Sequence, residues 1–220
     1  MKTFLSIGSG PGMGLATAER FAREGFRVVL SARNADRTRD LAEALRAKGF
    51  EAEAWGVDTS DPASVSALVE DVARAFGGID VLHYNAASMR QAALADQPRE
   101  TFNDDLAVNV GGALAAAQAA APGMIARGSG TILLTGGGFA LQPHPDYLSL
   151  SIGKAGIRAL AQGLFASLAE SGVHVATATV AGFVSAGSKD AEAVADAFWS
   201  LHDQPRGAWT VESTYTPSGA

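Results

Sequence analysis

The chain has 220 residues, of which 23 are acidic and 17 basic, a net charge of −6, and 47% are hydrophobic. That length suits one α/β domain with a sizeable core, and the acidic balance argues against a nucleic-acid or anionic-membrane surface. The lack of cysteine excludes disulfides and thiolate metal sites.

Residues 3–7 (Thr-Phe-Leu-Ser-Ile) predict a strand, 8–14 a glycine turn and 15–24 an amphipathic helix. Residues 27–31 predict a second strand, 35–48 a helix stopped by Gly49, and 51–57 a third strand. Asp61 and Pro62 supply a cap and a first-turn proline for a helix to Phe76, closed by Gly77-Gly78. A short strand at 80–84 leads into an irregular segment through Gln97, then one long alanine-rich helix is expected over 99–126. A strand at 131–135, a long helix within 145–171, a strand at 173–180, a helix at 190–202 and a last strand at 209–211 complete the order. Such alternation implies a single doubly wound parallel sheet of Rossmann-like type, with helices on both faces and right-handed crossovers. No apolar run is long enough for a signal peptide or a membrane span, so a cytoplasmic protein is expected. His83, His144, His174 and His202 lack ligand spacing and read as structural.

A strand running through glycines into a helix N-terminus is a site for a dinucleotide pyrophosphate. The candidate cofactor residues there are Gly8, Ser9, Gly10, Gly12, Met13 and Gly14. Gly8 takes the tight turn, Gly12 lets backbone approach phosphate, and Gly14 lets helix approach strand. After the second strand, where an acid would hold the ribose 2′-hydroxyl of NAD, stand Ala32 and Arg33. Arg33 suits a 2′-phosphate, which predicts NADP(H) over NAD(H); the alternative is an ordinary solvated arginine. Asp58 is a candidate for the adenine amino group, or else a plain loop carboxylate. Asn85 lies beyond the fourth strand, at the edge where ligands collect.

These residues resemble the short-chain dehydrogenase/reductase family along nearly the whole chain. Gly8-x3-Gly12-x-Gly14 is similar to its cofactor loop, and Tyr84-Asn85-Ala86-Ala87 to its Asn-Asn-Ala-Gly segment with two changes. Asn109 and Lys154 match the asparagine and lysine of its catalytic tetrad. The tetrad tyrosine and serine positions hold Leu150 and Gly137, neither able to donate a proton. Tyr147, seven residues before Lys154, gives a Tyr-x6-Lys spacing that resembles divergent enoyl reductases of the superfamily. Seven residues return to nearly the same helix face, about 10.5 Å along the axis. The resemblance therefore names Tyr147, Lys154 and Asn109 as catalytic candidates, with Lys154 also holding the nicotinamide ribose.

Tyr147 is either that displaced proton donor or an aromatic packing on Pro143 or Pro145. Gly136-Gly137-Gly138 either forms an oxyanion nest or permits close approach of cofactor and strand; the second reading is preferred. Substrate contacts are expected from 88–97, 139–147 and 183–188. Two functions follow. One is an NADP(H)-dependent oxidoreductase reducing an activated C=C or C=O of a small substrate. The other is a degenerate relative that binds NADP(H) as a sensor or interaction protein. The resemblance also implies a homodimer or homotetramer, built on the two long helices.

Overall fold

The computed structural model describes residues 1–218. Seven parallel strands lie in the order β3-β2-β1-β4-β5-β6-β7. They are β1 Thr3–Ile7, β2 Arg27–Ala32, β3 Ala52–Gly56, β4 Val81–Tyr84, β5 Gly130–Gly137, β6 Val173–Val180 and β7 Glu212–Tyr215. The chain winds outward from β1 to β3, crosses back beside β1 as β4, and winds outward the other way. β1 and β4 thus diverge at a topological switch point, the place where such sheets open a ligand crevice.

Side-chain alternation along the strands splits the core in two. Leu5, Ile7, Leu82, Ile132 and Val175 face α3 (Pro62–Phe76), α5 (Gly112–Arg127) and α6 (Leu148–Glu170). Phe4, Val28, Leu30, Leu133 and Ala178 face α1 (Met13–Arg23), α2 (Ala35–Ala47) and α7 (Lys189–His202). Local chemistry sets the helix starts. The side-chain oxygen of Asn34 accepts from the Arg37 N–H at 2.9 Å, that of Asp61 from Ala63 at 2.9 Å and that of Ser188 from Ala191 at 3.2 Å. Among the described residues no helix is long and apolar enough to cross a membrane.

Three expectations are corrected. The helix expected over 99–126 begins at α4 (Phe102–Leu106) and carries a π-turn at Ala107–Gly111 before α5. Within that turn the Val108 carbonyl accepts from the buried Tyr84 hydroxyl at 2.6 Å, a tertiary partner outside the helical ladder. The last strand is Glu212–Tyr215, not 209–211. It is polar, and Glu212 is held by Arg158 Nε at 2.9 Å and the Thr179 hydroxyl at 2.6 Å, contacts that no apolar pattern announces. β5 also runs on to Gly137, which brings the glycine triplet into and just past the sheet.

Candidate active site

The glycine loop is built by fastening the end of β1 to β2. The Gly8 and Ser9 N–H groups donate to the Ser31 carbonyl at 2.8 and 2.9 Å. The Ser9 hydroxyl donates to the Ser6 carbonyl at 2.9 Å. Gly8 has φ +86°, and an added Cβ would lie 2.3 Å from the Ala86 nitrogen, so conformation and space both demand glycine. Gly14 serves the approach of α1, since a Cβ there would meet the Ser9 Cα at 3.0 Å. Gly12 is the N-cap position of α1. Gly10 faces open space.

Asn85 joins three strand ends. Its amide donates to the Gly8 carbonyl at 2.9 Å and its oxygen accepts from the Thr135 hydroxyl at 3.0 Å. Behind Thr135 lies the fully buried His83, with Nε2 3.1 Å from Thr135 Oγ1 and Nδ1 3.4 Å from Ser6 Oγ. Burial, and then the charge of Lys154, push this imidazole down to about 3. Lys154 donates to the Thr135 carbonyl at 2.7 Å. Although solvent reaches part of its side chain, the protein crowds its ammonium, and that desolvation pushes it down to about 8.

The glycine triplet is explained by the protein's own packing. A Cβ on Gly136 would meet the Thr177 hydroxyl at 2.7 Å, and one on Gly138 the Ala181 Cα at 2.9 Å. A Cβ on Gly137 would press on the Lys154 stem at 3.1–3.3 Å. The lysine stem therefore lies over the residue where the family pattern has serine.

Asn109 sits in the π-turn and clamps Ser88, accepting from its N–H at 2.6 Å and donating to its carbonyl at 3.2 Å. Beside it the buried Asp105 receives Arg90 at 2.6 and 3.1 Å. Charge-assisted bonds from Arg90 and Ser88 outweigh burial and hold the Asp105 carboxyl below its ordinary range.

One cavity of about 1200 Å³ runs along the carboxyl ends of the strands. Of the residues expected from sequence, Gly8, Ser9, Gly10, Met13, Arg33, Asn85 and Lys154 line it. Gly12, Gly14, Asn109 and Tyr147 adjoin residues that do. Asp58 lies in a shallow adjoining pocket with Arg33, one carboxylate oxygen accepting from the Ser60 N–H at 3.0 Å and its hydroxyl at 2.7 Å. Those two bonds, ahead of the Arg33 charge, lower its pKa. Thr59, not Asp58, reaches the main cavity. Sequence reasoning also missed Arg37, which lines the cavity with Arg33 one turn into α2. A second cation four residues after the first was the available signal. His144, read as structural, lines the opposite end.

Tyr147 is stacked on Phe139 with ring centroids 5.4 Å apart and planes 25° from parallel. His144 and Phe183 complete the group, 5.5 and 6.2 Å from the Tyr147 ring. Its ring is thus packed among three aromatic residues that themselves line the cavity.

The family described as short chain dehydrogenase matches residues 2–194. The chain belongs to the short-chain dehydrogenase family. An uncharacterized oxidoreductase of Thermotoga maritima is 32% identical over 174 residues, 79% of this chain and 68% of that protein. The uncharacterized oxidoreductase YxbG of Bacillus subtilis is 31% identical over 175 residues, 79% of this chain and 64% of that one. Among solved structures, a short-chain dehydrogenase from Rhodopseudomonas palustris superposes with a TM-score of 0.89 at 27% identity, covering 98% of each chain. A metagenomic short-chain oxidoreductase in complex with NADP gives 0.89 at 26% identity, over 99% of this chain and 97% of the other. In this short-chain dehydrogenase, Leu150 and Gly137 both line the cavity where the family pattern places its hydroxyl donors.

Proposed function

We propose that this short-chain dehydrogenase transfers hydride between NADP(H) and an activated C=O or C=C of a small substrate. The observation that carries the reading is the single cavity joining the glycine loop and two arginines at one end to Lys154 and an apolar wall at the other. The residues fit a dinucleotide. Gly10 leaves the loop surface open, the N-terminus of α1 points its N–H groups there, and Asn85 braces the loop from beneath. Gly8, Ser9, Gly10, Gly12 and Met13 would hold the pyrophosphate, with Gly14 allowing the helix close. Arg33 and Arg37 would hold the 2′-phosphate by charge-assisted hydrogen bonds. Thr59 and Asp58 would flank the adenine, and Lys154 the nicotinamide ribose.

A bound NADPH supplies the hydride. The proton for the substrate oxygen we assign to Lys154 Nζ rather than to Tyr147. Lys154 lines the cavity, carries three N–H donors of which one is given to Thr135, and is charged at neutral pH. Asn109 is a positioning residue: it holds Ser88 and so the wall that carries Met89.

The test is titration with NADPH and NADH, then oxidation of NADPH against enones, aldehydes and ketones. NADPH is expected to bind about tenfold tighter or more than NADH, with the ratio lost in Arg33→Ala combined with Arg37→Ala. An unchanged ratio removes the preference, and no binding of either nucleotide removes the function. Leu150 and Gly137 favour a second reading, an NADP(H)-binding sensor without turnover. Tight binding with no oxidation across the panel selects it. Exposed Leu114, Ile125 and Ile152 on α5 and α6 support a homodimer or homotetramer, which light scattering on purified protein decides.

A further inference from the structure

Resting on that reading, the end of the cavity beyond Lys154 carries a chemical preference of its own. Its wall is Phe139, Leu141, Leu150, Phe183 and Val184, with Met89 across from them on the 85–92 segment. The cations of the lining are Arg33 and Arg37 at the β2 end and Lys154 in the middle, and among the described residues no carboxylate lines it. Arg90, beside Met89, is turned to Asp105 at 2.6 and 3.1 Å and is outside the lining. The polar groups at this end are Gln142 and the imidazole of His144. A substrate carboxylate or phosphate placed there would lose water without gaining a fixed cationic partner.

The apolar wall is also aromatic and braced. Tyr147 backs Phe139 in a stack, and Phe183 stands nearly perpendicular to Phe139, at 78° and 6.3 Å between centroids. Phe183, Met89 and Leu141 are 65%, 57% and 51% exposed, a large apolar area for a soluble protein to leave at the mouth of a cavity. Rings held this way accept another ring face-on or edge-on.

We propose that this short-chain dehydrogenase takes an uncharged ketone or enone that carries a flat aromatic or conjugated ring, seated against Phe139 and Phe183, and discriminates against acids and phosphate esters. Calorimetric titration of the full chain, with and without saturating NADP⁺, tests it with three probes: 2-acetylnaphthalene, 6-acetyl-2-naphthoate, whose carboxylate lies at the ring end away from Lys154, and methyl cyclohexyl ketone. The neutral planar ketone is expected to bind at least about tenfold tighter than the other two. In Phe183→Ala and Phe139→Leu its affinity is expected to fall about tenfold while NADPH affinity is unchanged. Phe183 is exposed, so its substitution leaves the fold intact and keeps the test valid if Phe139→Leu does not fold. Equal or tighter binding of 6-acetyl-2-naphthoate overturns the discrimination, and equal binding of the saturated ketone overturns the ring preference. Unchanged affinity in Phe183→Ala places the ligand elsewhere and overturns the site. Ring binding without nucleotide binding would refute the function above and leave this site standing; the converse would refute only the site.

Discussion

His83 should make the protein lose stability in mild acid, well before its carboxylates titrate. The imidazole has no solvent exposure, touches Ser6 and Thr135 through its nitrogens, and lies 4.6 Å centroid to centroid from Phe198. Folding lowers its pKa from 6.5 to about 3. A base whose folded pKa is depressed stays neutral in the native state while the unfolded chain takes up a proton below 6.5. The unfolded state then binds more protons, and stability drains as pH falls through the window from 6.5 to about 3. At 1.36 kcal/mol per unit the whole window is worth roughly 5 kcal/mol, and about 2 kcal/mol is already lost near pH 5. The assay is urea unfolding of the wild type and of His83→Gln at neutral pH and near pH 5. His202 and His174, also lowered by burial, titrate in both proteins and cancel in the comparison. The variant is less stable at neutral pH, because buried partners lose their bonds, but the gap should narrow by about 2 kcal/mol in acid. A gap that stays constant between the two conditions would refute the argument that a neutral His83 supports the site floor.

Three further outcomes follow from the site. Lys154→Met should lower NADPH-dependent reduction by ~10²–10⁴, and in the wild type reduction should decline as pH rises through about 8, where the ammonium gives up its proton; a rate that stays level beyond that range removes Lys154 as the acid. Tyr147→Phe should leave turnover within about twofold, measured on the same substrate, because its ring is held in the Phe139 stack; a large loss would return the donor role to Tyr147. Gly8→Ala should cost about 1–3 kcal/mol in denaturant and abolish NADPH binding, since φ +86° and the Ala86 backbone both oppose a methyl group; normal binding would show the loop is not where the nucleotide sits.

Much of this architecture is legible in the chain because local and long-range signals coincide. Strand 3–7 with its glycine turn, the Asp61-Pro62 start and the apolar strand at 173–180 each pair a periodic pattern with a stop signal, and each stands where expected. What hid from the sequence depends on tertiary partners. Within the π-turn the Val108 carbonyl accepts from Tyr84, far earlier in the chain, a partner that no local pattern names. β7 is set by Arg158 and Thr179 acting on Glu212. Arg33 was visible as a cation after β2, while Arg37 joined it only once Asn34 had started α2 between them. The glycine triplet was legible as a demand for closeness, yet the approaching atoms belong to Thr177, Lys154 and Ala181.

The clamp formed by Asn109, Ser88, Asp105 and Arg90 makes the two sides of the cavity mouth unequal. On one side the chain is stapled to a helix by the buried Asp105 carboxylate and the half-buried Arg90, and it leads back through Asn85 to the glycine loop. On the other, exposed Phe183 stands on the short run between β6 and α7, where Ser188 donates to the Ser185 carbonyl and caps α7. For anyone redesigning substrate choice, the second side is the one to vary. Changes there alter the width and chemistry of the entrance, whereas changes on the stapled side reach the cofactor loop and alter both specificities together.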